Sequence, residues 1–160
     1  MMITSTDRLR WLRTGLVGLG LAGCQSAPSF LPVANVKELM AAVIEPAADL
    51  YWDAVGTVDD STGSTSFGPE TAEEWAAVRN NAMVVAESGN LLMMDPRARD
   101  RDQWMVLSRA MVEAGKQAVA AANARDTAAV FNAGAVLYES CSRCHAVYSV
   151  KVTPPKTPGK

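Results

Sequence analysis

Near the end of the chain Cys141, Ser142, Arg143, Cys144 and His145 follow one another, and C-x-x-C-H is the attachment string of a c-type haem. Two thiols three residues apart project from the same side of a helical turn, so both can reach the two vinyl groups along one porphyrin edge. His145 can then put an imidazole nitrogen on the iron as the proximal ligand. It is the only histidine in the sequence, which excludes a bis-histidine iron. A methionine, another weak donor, water or nothing is left for the sixth position. Zinc would use the same residue types, but it takes four ligands and no second Cys or His cluster completes the set. A redox dithiol is expected near a βαβ pattern at the start of a helix, whereas this motif closes a long helical run.

The N-terminus speaks to compartment. Arg8, Arg10 and Arg13 precede an apolar stretch that ends in Leu21-Ala22-Gly23-Cys24, a basic region, a short apolar region and a small-residue processing site. The segment resembles a bacterial lipoprotein signal. The resemblance implies cleavage of residues 1–23 and acylation of Cys24, which accounts for the third cysteine. An ordinary secretory signal or an uncleaved anchor are the alternatives, and either way the domain is exported. Several acyl chains make stable membrane anchoring. With Gln25 where an Asp would favour inner-membrane retention, the resemblance points to the periplasmic side of the outer membrane.

What remains after residue 23 is one domain in size, long enough to bury a hydrophobic core. The whole chain has a formal net charge of −2, and loss of the three arginines makes the remainder more acidic. This argues against nucleic-acid binding. Residues 24–34, with Ser26, Pro28, Ser29 and Pro32, read as a lipidated tether. Residues 153–160, with Pro154, Pro155 and Pro158, read as a flexible tail that cannot continue a helix. The stretch from Asp59 to Gly68, rich in Asp, Ser, Thr and Gly, reads as a loop.

Between tether and tail, residues 35–152, the apolar residues follow helical spacing. Asn35 and Glu38 make a capping box, and Val36, Leu39, Met40, Val43, Ala47, Leu50 and Ala54 form a stripe running to about Val58. Pro46 interrupts it and predicts a kink or break. A second helix is expected from Pro69 to Met94, with acidic residues in its first turns. A third should start near Asp100 or Asp102 and carry Trp104, Leu107, Met111 and Ala114 to about Ala124. A fourth follows Arg125-Asp126, with Ala128, Phe131, Ala135, Tyr138, Ser142 and His145 on one face. The expected fold is all-α, an antiparallel up-down-up-down four-helix bundle preceded by the cleaved signal segment. Trp52, Trp75 and Trp104 read as packing residues whose indole N–H finds a partner. Arg97, Arg99 and Arg101 beside Asp95, Asp100 and Asp102 read as a solvated turn.

A four-helix domain with C-x-x-C-H close to its C-terminus resembles the class II cytochromes c, the cytochrome c′ and cytochrome c556 family. The resemblance covers the layout of the whole domain, while only the haem string is specific in sequence. Tyr148 fits the family's extended motif. Ser149 stands where that motif has a basic residue near a haem propionate, so Lys151 or an arginine from another helix would have to take that part. The bundle order brings Met40, Met93, Met94 and Met105 to the haem end. The resemblance singles out Met40, because cytochromes c556 take their axial methionine from the first helix.

The resemblance implies one haem c on Cys141, Cys144 and His145, and no enzymatic activity. Its first functional expectation is single-electron transfer to redox partner proteins in the periplasm, with a possible homodimer. The alternative is a five-coordinate, cytochrome c′-type protein binding NO or CO. A haem peroxidase or reductase is a third reading, and it lacks a spare histidine for distal acid-base work.

Overall fold

The computed structural model describes residues 30–149. The signal segment, Cys24, Lys151 and the tail lie outside the described residues, as does most of the tether. The chain is mostly helical with one small two-stranded sheet. No helix among the described residues is long and apolar enough to cross a membrane.

The first helical rod is α1 (Val36–Leu39), a π turn (Met40–Ile44) and α2 (Glu45–Trp52) in succession. Asn35 and Glu38 form the expected capping box, each side chain accepting from the other's amide at 3.0 and 2.9 Å. Pro46 acts as expected in kind, though the form is a π turn just ahead of it rather than a break. The predicted stripe holds in part: Leu39 and Ala47 are buried and Val36, Met40, Val43 and Ala54 pack against the core, whereas Leu50 is 59% exposed and Ile44, Ala48 and Tyr51 are buried as well. A π turn holds one residue more than the α-helical turn it replaces, so the apolar face changes phase between Leu39 and Ile44.

The rod stops at Trp52, short of Val58, and the predicted loop is a β-hairpin of β1 (Gly56–Asp60) and β2 (Gly63–Phe67). Its register pairs Gly56 with Phe67 and Asp60 with Gly63 around a two-residue turn. The Asp60 carboxylate accepts from the Thr62 amide and hydroxyl at 2.7 and 2.6 Å, and Gly63 takes φ +141°, a conformation that glycine adopts readily. Thr57, Val58 and Thr65 carried the strand signal. The polar composition hid it, because almost every strand residue is exposed and no alternation of buried positions results.

Helix α3 (Ala72–Met93) begins at a Thr71–Glu74 capping box, later than the expected Pro69 start. Helix α4 (Gln103–Ala124) follows the Asp95–Asp102 turn, where Arg101 pairs with Asp95 on the exposed surface. Arg97 departs from the solvated-turn expectation: it is buried and donates Nε to the Ala34 carbonyl at 3.0 Å, tying the turn to the start of the first rod. Arg125, in the left-handed region at φ 53°, reverses the chain, and Asp126 caps α5 (Thr127–Tyr148). The buried face of α5 is Val130, Ala133, Gly134, Leu137 and Ser140, whereas Phe131 and Tyr138 of the predicted face are exposed.

Helices α3 and α4 pack antiparallel and very closely. A Cβ on Gly115 would lie 2.7 Å from the Ala86 Cα, and one on Gly89 would lie 2.9 Å from the Ser108 carbonyl oxygen. Trp104 donates its indole N–H to the Leu92 carbonyl at 2.7 Å, and Trp52 donates to Gly134 at 3.0 Å, as expected of packing tryptophans. Gly115→Ala sets a helix-propensity gain of about 1 kcal/mol against overpacking of about 1–3 kcal/mol. Backbone is the opposing surface and cannot rotate away, so the variant is expected to lose stability and melt several degrees lower in a thermal scan.

Candidate functional site in the cleft between the first rod and the last helix

The first rod and α5 touch at one end and diverge at the other. At the closed end the Tyr51 hydroxyl donates to the Val130 carbonyl at 3.2 Å, with the Ala118 carbonyl at 3.5 Å. The Trp52 indole bonds to the Gly134 carbonyl, and its ring lies 3.1 Å from where a Gly134 Cβ would stand. Burial pushes the Tyr51 phenol up to about 12, which keeps it protonated as the donor. On the N-terminal side of Trp52 the rod and α5 separate, and a cavity of about 590 Å³ opens between them, within the ~300–1,000 Å³ range of small-molecule and cofactor sites.

Cys141, Cys144 and His145 all line this cavity on the α5 side. Met40, Ile44, Ala48 and Trp52 line it from the rod, and Leu92, Leu107, Ser108 and Met111 form its floor. Both thiols are free and half-buried. Burial raises each thiol above the ordinary cysteine range, helped at Cys144 by the neighbouring Cys141, so both rest as thiols rather than thiolates. His145 is exposed and contributes at the rim. Among the described residues no group of three or more His, Cys, Asp and Glu side chains converges as a metal cage.

The structure separates the four sequence-nominated methionines. Met40 lines the cavity; Met93, Met94 and Met105 do not. Met111, nominated only as part of the α4 stripe, lines it as well and is buried. Sequence spacing put Met111 on the buried face of α4 but could not say how far the cavity reaches down that face. Glu45 and Asp49 also border it as exposed residues of α2, and no sequence signal set them apart from other surface acids.

The lining fits a large, flat, mostly hydrocarbon group carrying a metal. Apolar side chains dominate it, two thiols stand on one helix, and an imidazole and a thioether are available as axial donors. Ser108 adds an independent observation. Three serines in the helices are buried, and Ser88 and Ser140 satisfy themselves by donating to Val84 and Leu137 carbonyls of their own helices at 2.7 Å. The Ser108 hydroxyl, on a residue only 1% exposed, has no partner among the described residues. An unpaired buried hydroxyl costs about 1–3 kcal/mol, and an acceptor on a molecule seated in the cavity would remove that cost.

Tyr148 closes the motif end of α5 onto α4. Its ring meets Trp104 edge-on at 5.0 Å, and its hydroxyl donates to the Asp100 carboxylate. That carboxylate also accepts from the Trp104 amide at 3.0 Å. These bonds lower the Asp100 pKa, the Tyr148 bond foremost, and the same bond raises Tyr148 to about 12. Tyr148 thus anchors the C-terminal end of α5 through Asp100. Comparison of the chain with family models, with curated proteins and with solved structures finds no match.

Two measurements probe the site. In a Cys141→Ala/Cys144→Ala chain, Ser108→Ala should raise stability by about 1 kcal/mol, because it deletes an unsatisfied buried hydroxyl and improves helix propensity; thermal melting reads the sign. For Tyr148, the folded phenol keeps its proton to about 12 while the unfolded one releases it near 10.0. Its contribution is therefore complete below pH 10 and lost as pH rises between these values. Melting curves across that window should fall more steeply for the parent chain than for Tyr148→Phe.

Proposed function

We propose that the protein is a class II-type c-type cytochrome, in which the helical rods form an up-down-up-down four-helix bundle around one covalently attached haem c. The observation that carries the reading is the convergence of the C-x-x-C-H side chains and Met40 on one apolar cavity. Cys141 and Cys144 would hold the group through thioether bonds, each thiol adding across one vinyl group. His145 and Met40 would be its axial ligands. Bound there, the haem iron supplies reversible one-electron redox chemistry.

The chain's own residues then do three things. The apolar walls from Ile44, Ala48, Leu92 and Leu107 exclude water, which tunes potential through burial. The Tyr51 and Trp52 bonds to α5 hold the first rod at a fixed distance from the motif helix. Met40 would offer its thioether to the iron, which would raise the potential and keep small ligands out. Function is single-electron transfer with periplasmic redox partner proteins rather than catalysis. On the sequence of the N-terminus, residues 1–23 are the export signal and Cys24 the lipid anchor, at the periplasmic face of the outer membrane. A homodimer belongs to the same proposal.

Absorption spectra of the purified holoprotein test the reading. A low-spin iron that ignores CO is expected in the parent, and Met40→Ala should convert it to a high-spin iron that binds CO. An open iron in the parent would replace the carrier with the NO- or CO-binding alternative. Haem stain after denaturing electrophoresis should vanish in Cys141→Ala/Cys144→Ala; stain that persists removes covalent attachment altogether.

A further inference from the structure

The π turn sits where Met40 has to be aimed. It spans Met40–Ile44, and its wide bond runs from the Glu45 amide to the Met40 carbonyl. Pro46 follows immediately. Proline has no amide to donate to the Ala42 carbonyl and its ring would crowd that carbonyl in a regular α-helix, so an extra residue in this turn relieves a conflict that the sequence itself creates.

The turn also changes which way the upstream residues point. The cavity-facing residues of α2 and its approach are Ile44, Glu45, Ala48, Asp49 and Trp52. At about 100° per residue, an unbroken α-helix would set Met40 about 110° from the middle of that face. One extra residue advances everything upstream by about 100° and brings Met40 to within about 10° of the middle. Leu39 responds to the same rotation. Without it Leu39 would stand about 180° round from Ala48; with it Leu39 joins the sector of Ala47 and Tyr51, and it is buried as they are. Two residues with different destinations, one in the cavity and one in the core, are thus accounted for by one inserted position.

We propose that the π turn held by Pro46 is the positioning device for the sixth iron ligand, turning Met40 from the shoulder of the rod to the centre of the cavity wall. The proposal rests on the reading of Met40 as an iron ligand. Ala41 and Ala42, the exposed residues inside the turn, supply the extra length without touching the cavity.

Register variants of the holoprotein test it by absorption and spin state. Inserting one alanine after Ala42 should rotate Met40 off the face and give a high-spin, CO-binding iron. In that insertion chain Ala41 takes over the former angular position of Met40, so adding Met40→Ala and Ala41→Met should restore the low-spin spectrum. Removing Ala42 together with Pro46→Ala should give a regular helix with Met40 still on the face and an unchanged low-spin spectrum. A folded insertion chain that stays low-spin, failure of the Ala41→Met rescue, or loss of the low-spin state in the deletion chain each overturns the positioning role. Should the insertion chain fail to fold by circular dichroism, the deletion chain decides alone. Met40→Ala in the parent register is the separate control: if it leaves the spectrum unchanged, the ligand reading itself falls, and the proposal with it.

Discussion

The attachment of the first rod to α5 through two side-chain donors is the constraint on which the cavity depends. Tyr51 and Trp52 are adjacent on the rod, and their donors reach the Val130 and Gly134 carbonyls, four residues apart on α5. A helix carbonyl already bonded within its own helix has a second lone pair to offer, so the tie costs α5 none of its ladder. Gly134 lets the indole approach the backbone closely. Because the tie is made at one end only, the two elements diverge toward the other end, and the space they leave is lined by the C-x-x-C-H side chains.

The opposite pair of contacts explains why that space does not collapse. Gly89, Gly115 and Ala86 let α3 and α4 come together as one closely packed slab, and Trp104, Tyr148 and Asp100 lock the motif end of α5 to α4. With α5 held to the slab, and the rod held to α5 at Tyr51 and Trp52 and to the α3–α4 turn by the Arg97 bond to Ala34, neither wall can swing into the gap without breaking hydrogen bonds. The floor keeps one polar demand unmet, at Ser108. An apolar lining and an unpaired donor thus meet in one cavity.

Much of the helical layout was legible because its signals are local. The Asn35–Glu38 box, the Asp126 cap, and the buried run of Trp104, Leu107, Met111 and Ala114 each depend on residues a turn or two apart. What escaped were features with no local signature or a misleading one. The hairpin's strands are almost wholly exposed, so alternation was absent. The predicted faces of the first rod and of α5 were both displaced in part, for different reasons. In the rod the π turn shifted the phase midway. In α5 the small Ala133 and Gly134 were drawn inward by the Tyr51 and Trp52 bonds, leaving the larger Phe131 and Tyr138 outside.

Covalent order alone sets the chemistry on offer: two thiols and one histidine at fixed spacing on a helix, no second histidine, and a proline that forbids a regular first helix. Those are consequences of covalent order and of hydrogen bonding within a few residues. Only the tertiary structure decided which of four methionines shares a cavity with the motif, since angular position across a π turn and the divergence of two helices depend on contacts far apart in the chain. It also decided that Ser108 has no partner among the described residues, because satisfaction of a buried hydroxyl is a property of everything packed around it.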